Sequence, residues 1–359
     1  MKKPTILLFL ILSSISFLQM NCKDDEPIKP CTDCPQPIDT TSHEFVWEAP
    51  IFLGDGASSA LYDLQIIDDS LAYAVGDISV KDSNGNWQNP PYNIAKWNGH
   101  QWQLSTSSDI GYGYGELYCV FAFGPNDLWA GSTIPEHWDG AKWTFHGASR
   151  GYEGGFRLRK IWGTSSTNLY AVGDDGNIRH YNGISWQKIE SGTNLSFRDI
   201  YGATDSKTGE LQILALCSDN IPHERGLYRI QGNIATAIST YPLQYDLTSV
   251  WFVPNSHYYL VGSGMFEKLS LSDSVWKNGE PGVVKYVLTK IRGTGLNDVF
   301  AVGALGDVLH YNGLSWQSYF DKTSLANGGY ASIAVKGDLV IAVGVESPFA
   351  ATIIGRRKQ

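Results

Sequence analysis

"LYAVGDDGNIRHYNGISWQ" (residues 169–187) returns 130 residues further on as "VFAVGALGDVLHYNGLSWQ" (299–317), and eleven of the nineteen positions are identical. That separation is too long for one repeat unit, so copies should stand between the two. They do. The Ala-Val-Gly element, in varying quality, ends at Gly76, Gly131, Gly173, Cys217, Gly262, Gly303 and Gly344, at spacings of 55, 42, 44, 45, 41 and 41 residues. A period near 43 with four short β-rich segments per unit predicts a β-propeller. Within one unit, 157–163 reads as strand A, "TSSTN" as a turn, and "LYAVG" as strand B. "DDG" is a hairpin turn, "NIRHYN" strand C, "GIS" a turn, and "WQKI" strand D.

Trp102, Trp143, Trp186, Trp276 and Trp316 recur at the start of strand D. Large rings at one position of successive blades fill the gap of about 10 Å between facing sheets, so these tryptophans are packing residues. The seventh unit has three strands (330–335, 339–344, 351–356) and then the chain ends, while "EFVWE" (44–48) stands alone ahead of the first unit. The expectation is an all-β, seven-bladed propeller of four-stranded antiparallel blades. The N-terminal strand (44–48) completes the last blade and so removes open sheet edges.

The composition agrees: 38 Gly, 12 Trp and 19 Tyr in 359 residues, with only 18% charged residues. Lys2, Lys3 and an apolar run from Ile6 to Leu18 make residues 1–21 a signal peptide, too short in its apolar part to span a bilayer. Removing Lys2 and Lys3 takes the formal charge from −9 to −11, and an acidic chain with no basic stripe excludes nucleic acid as partner. Residues 22–44 are polar and Pro-rich and read as a tether, leaving 45–357 as the propeller. Cys31 and Cys34 lie in the tether with no further ligands at zinc spacing, which favours a local disulfide or none over a metal. Cys119 and Cys217 sit in apolar strands as small buried hydrophobes.

Several of these features carry a resemblance. "LQMNC" with Cys22, followed by Lys23-Asp24-Asp25, resembles the lipidation site and export tag of surface lipoproteins of the Bacteroidetes. Over 45–357 the chain is similar to secreted bacterial seven-bladed propellers with sialidase-type, regulator-type and WD-type repeats. "YNGISW" is near the Asp-box of the sialidase type, although Tyr181 and Tyr311 stand where that box has its aspartate. The resemblance implies a lipid on Cys22 and anchoring in the outer membrane, displayed at the cell surface.

Comparison between blades points to a working face. The A–B and C–D turns are short and alike, whereas the D–A and B–C loops differ in every blade, and long varied loops on a rigid ring are where binding residues are mounted. "GYGYG" (111–115) and "GYEGG" (151–155) carry Tyr112, Tyr114 and Tyr152 beside Trp87 and Tyr92 of the 77–93 insertion. These rings either meet a ligand or pack the loops onto the propeller. Arg157, Arg159, Arg198 and Lys290, with Tyr245 and Tyr286, belong to the channel mouth on this face, where they either attract an acidic group or pair with Glu116, Glu153, Asp199 and Asp246.

No nucleophile elbow appears, His137, His180 and His310 share one repeat position, and "DSNGN" (82–86) reads as a turn rather than a calcium loop. The expected function is a non-catalytic, envelope-anchored binding propeller for a glycan, peptide or protein partner, monomeric and without cofactor or metal. A sialidase-like glycan hydrolase or lyase, and a scaffold within an envelope complex, are the alternatives.

Overall fold

The computed structural model describes residues 39–107, 115–153, 155–219 and 224–358. They form seven antiparallel sheets of four strand positions each, arranged as the blades of a propeller. The inner strands, A, are Ala60–Asp68, Cys119–Gly124, Leu158–Ser165, Phe197–Thr204, Leu247–Val253, Leu288–Gly295 and Gly328–Lys336, for blades 1 to 7 in order. Each blade then runs outward through strands B, C and D.

Beyond its polar first residue strand B is apolar, as at Asn168–Gly173, because it is covered on both faces by neighbouring blades. Strand D has only one covered face and alternates, as at Trp102–Ser105. The Trp that opens strand D is paired across the ladder with the aromatic that closes strand C: Tyr181 with Trp186, Tyr311 with Trp316, Trp97 with Trp102 and Trp138 with Trp143. Their ring centroids lie 5.1–5.7 Å apart. The histidines shared by strand C are also packing groups. His137, His180 and His310 stack on the strand B rings of Trp129, Tyr170 and Phe300 at 4.5, 4.5 and 4.3 Å. Each bonds the residue that opens strand B: Asp127 at 2.8 Å, Asn168 at 2.7 Å and Asp298 at 3.1 Å.

The glycine that closes the Ala-Val-Gly element in blades 1, 3, 5, 6 and 7 has a steric cause. A Cβ on Gly173 would lie 2.2 Å from the Arg157 carbonyl oxygen, and one on Gly303 would lie 2.1 Å from that of Val287. Strand A presses its backbone there because it carries a β-bulge at the same level, between Leu158 and Lys160 and between Leu288 and Lys290. Just beyond, Asp175 and Gly176 both take positive φ (58° and 66°), the primed turn that matches the twist of a hairpin.

The ring closes as the sequence predicts, with one refinement. Both Phe45–Trp47 and Ile51–Leu53 pair with strand C of blade 7, Phe349–Arg357, so the outer strand is made of two pieces. Pro50, which has no N–H to donate, lies in the break. Phe45 is buried among Phe300, His310 and Tyr319, with the Arg357 guanidinium 4.8 Å above its ring. Contact with blade 6 begins ahead of this strand: the Thr41 N–H donates to the Asn312 carbonyl at 3.0 Å, and Nδ1 of His43 lies 2.9 Å from Nδ1 of His310.

Candidate functional site

The strand A bulge shapes the axis of the propeller. It re-aims one side chain per blade toward the channel mouth on the variable-loop face: Tyr62, Arg159, Arg198, Thr248, Thr289 and Ala331. In blade 2, Tyr118 precedes the first ladder pair, Cys119 with Gly131, and completes the set. The mouth is lopsided. Blades 5 to 7 contribute Thr248 and Thr289, whose hydroxyls donate to the carbonyls of Leu288 (2.9 Å) and Tyr330 in the next blade, and Ala331. Blades 1 to 4 contribute large aromatic and cationic groups.

Those groups form one cluster of mixed charge. The Tyr62 and Tyr118 rings are 5.1 Å apart, and the exposed Arg157 guanidinium sits 4.4 Å above Tyr118. The Tyr118 hydroxyl donates to Glu116. Burial and then this bond push its pKa up to about 12. Asp77 lies close by, its carboxyl raised by burial and by the Glu116 charge, with one buried oxygen lacking a hydrogen-bond partner. Arg159 bonds Asp174 at 2.7 Å, and Arg198 bonds the Ser218 carbonyl at 2.7 Å and Asp219 at 3.3 Å. Each of these ion pairs remains about one-quarter exposed.

The other expected residues are distributed differently. Tyr112 and Tyr114 lie outside the described residues, as do Cys22, Cys31 and Cys34. Tyr152 is only 1% exposed: its ring stands edge-on to Trp186 at 5.5 Å and beside Phe156 at 5.9 Å, so it packs its loop onto blade 3. Trp87 is 47% exposed under Lys81, Tyr92 is half-buried against the core of blades 1 and 7, and Tyr286 stacks near Phe320. Tyr245 is exposed on the blade 4–5 loop. In "DSNGN", Asp82 accepts the backbone N–H groups of Asn84 and Asn86, which makes it a self-capped turn.

Lys290 does not reach the mouth. One residue beyond each bulge, strand A turns a side chain into the channel wall, giving the ring Asp63, Cys119, Lys160, Asp199, Ser249, Lys290 and Ser332, all buried. Lys160 bonds Asp63 at 2.6 Å, and Asp63 also accepts the Ser332 hydroxyl (2.9 Å) and the Val120 N–H (3.0 Å) of adjoining blades. Asp199 takes Lys290 at 3.3 Å, the Ser249 hydroxyl at 2.5 Å, the Val250 N–H at 3.1 Å and a fork of two bonds from Arg292 at 2.7 and 2.9 Å. Burial pushes the Asp199 pKa up, but Arg292 and Lys290 together hold it well below the usual carboxylate range. These bonds tie the inner strand of blade 1 to those of blades 2, 3 and 7, and that of blade 4 to those of blades 5 and 6, and no sequence motif announced them.

The fold and this axial arrangement define a seven-bladed β-propeller with one variable, charge-bearing mouth. No protein-family model matches the chain, and no curated protein sequence does. Solved structures do match its fold. One is "YCF48 bound to D1 peptide", 16% identical with a TM-score of 0.63, covering 90% of this chain and 100% of that one. The WD40 propeller domain of Doa1 is 14% identical with a TM-score of 0.62, covering 88% and 98%. The WD40 repeats of RRP9 are 12% identical with a TM-score of 0.61, covering 89% and 99%.

Proposed function

We propose that the protein is an exported, lipid-anchored binding propeller that holds an extended segment of a partner protein across its variable-loop face. The observation that carries this reading is the lopsided mouth. Blades 1 to 4 place Tyr62, Tyr118, Arg157, Arg159 and Arg198 on one arc, with carboxylates of Asp77, Glu116, Asp174 and Asp219 between them. Alternating guanidinium, phenol and carboxylate groups suit a polypeptide, whose backbone and side chains offer donors, acceptors and both signs of charge. The D1 peptide bound to the structurally similar YCF48 is support by analogy of fold. Export and anchoring through Cys22 rest on the sequence.

A displayed peptide library panned against the full chain tests the proposal, with a glycan array in parallel. Selected peptides should bind the Arg157→Ala and Tyr62→Ala variants at least about tenfold more weakly, the range expected when a stacked cation or aromatic anchor is removed. Equal binding by both variants, or selection of glycans alone, would refute it. The Tyr118 hydroxyl on Glu116, beside the raised carboxyl of Asp77, favours a second reading as a glycan hydrolase. Turnover of a fluorogenic sialoside, abolished in Tyr118→Phe, would establish that reading instead.

A further inference from the structure

We propose that the end of the central channel on the uniform-turn face is a binding site for a small organic monocarboxylate. This site lies across the ring from the variable mouth and does not rest on the function proposed for that face. The channel holds a cavity of about 240 Å³ there, lined by Gln65, Phe121, Lys160, Trp162, Tyr201 and Arg292 among others.

The first argument is charge. Three cations, Lys160, Lys290 and Arg292, share the channel wall with two carboxylates, Asp63 and Asp199. The five groups act on one another: burial, with Arg292 and Lys160, lowers the Lys290 pKa against the pull of Asp199 and Asp63, while Asp199 and Asp63 raise that of Arg292 against burial. The inner strands' remaining charges are accounted for elsewhere. Arg159 and Arg198 are paired at the far mouth, and Asp68 and Lys336 sit at strand ends with exposed surroundings. With all five groups ionised the wall carries one positive charge in excess, because Lys290 and Arg292 share the single carboxylate of Asp199, and burying the charged Lys290 carries a cost that lowers its pKa. A single bound anion removes that cost.

The second argument is the direction of the unused donors. Arg292 spends Nη1 on Asp199, Ser249, Val250 and its neighbour Ile291, and one Nη2 hydrogen on Asp199. Its Nε–H and second Nη2 hydrogen have no partner among the described residues. They form the side-on fork of the guanidinium, whose two parallel N–H groups match the two oxygens of a carboxylate. Lys160 spends one of its three hydrogens on Asp63. The third argument is the rest of the lining. Phe121, Trp162 and Tyr201 border the cavity, with the Arg292 guanidinium 5.5 Å from the Tyr201 ring centre, and this aromatic lining favours a ligand with an apolar body over a hydrated inorganic ion.

The test is calorimetric titration of the full chain with benzoate, with benzamide as the neutral isostere and chloride as competitor. Benzoate should bind saturably and benzamide should not. Arg292→Lys keeps the charge but loses the fork, and Ala334→Phe fills the cavity with every charge in place; each should weaken benzoate at least tenfold. Equal binding of benzoate and benzamide, no saturable binding of benzoate, or displacement of benzoate by an equal concentration of chloride overturns the proposal. So does unchanged affinity in either variant once its circular dichroism shows the native fold. The comparison of benzoate with benzamide needs no variant and stands if neither one folds.

Discussion

Replacing Phe45 by alanine tests the closure of the ring. Phe45 is 5% exposed and its ring meets four aromatic neighbours, Trp47, Phe300, His310 and Tyr319, at centroid distances of 5.5–5.9 Å. Phe-to-Ala changes in packed cores cost about 3–5 kcal/mol. A folded unit of roughly 310 residues unfolds with an entropy of about 0.65 kcal/mol/K, so a loss of about 4 kcal/mol lowers Tm by about 6 °C. Val46, the next residue on the same strand, is 55% exposed, and Val46→Ala should change Tm by less than about 1 °C. Both variants are compared by differential scanning calorimetry, with hydrogen exchange across 349–357 as a local readout. Equal Tm values for Phe45→Ala and the unaltered chain, or equal losses in the two variants, would show that this strand does not hold the ring shut.

Three further outcomes are expected. Asp199→Ala leaves Lys290 and Arg292 uncompensated and should lower stability by about 3–5 kcal/mol in urea unfolding, whereas the triple change Asp199→Leu, Lys290→Met, Arg292→Leu should lower it by clearly less; a larger loss in the triple variant would contradict the account of the channel. Burial, then the neighbouring His310, lowers the His43 pKa, and burial lowers that of His310 against the pull of Asp298. Because the folded state thus favours the neutral rings, their contribution is present above the ordinary histidine pKa of about 6.5 and fades as pH falls below it, so the urea midpoint should drop between pH 7.5 and 5.5 and drop less in His43→Asn. Metabolic labelling with a tagged palmitate should mark the unaltered chain and not Cys22→Ala; equal labelling would remove Cys22 as the anchor.

The repeat was legible because each blade must solve the same packing problem with the same residues. The middle of strand B is apolar, strand D opens on a tryptophan, and a glycine yields to the strand A backbone, so these features survive where the rest of the blade diverges. The orphan "EFVWE" segment and the missing outer strand of blade 7 likewise fitted each other. The channel was harder to read. A strand alternates its faces with period two, but the bulge in strand A inserts one residue and reverses the alternation. Lys290 and Asp199, placed by sequence near the mouth, consequently face the axis. A signal was present in the recurring glycine, because in five blades the bulged strand A presses a carbonyl into that position. Of the two uses the sequence left open for Tyr152, the structure shows packing: the chain folds back (Tyr152 N–H to the Gly147 carbonyl, 3.2 Å) and buries the ring.

The pairing of Phe45–Trp47 with the far end of strand Phe349–Arg357 also sets an order in time. The outer strand of the last blade is among the first parts of the propeller to be made, and its partner is the last. At about 5–20 residues per second, synthesis of the intervening chain takes roughly 15–60 s. Throughout that interval the early strand has no edge to join, and the blades already made have no seventh to brace them. A propeller zipped in this way cannot finish folding piecemeal; it waits for its final strand, and whatever escorts the growing chain must keep both unpaired edges apart from other chains until then.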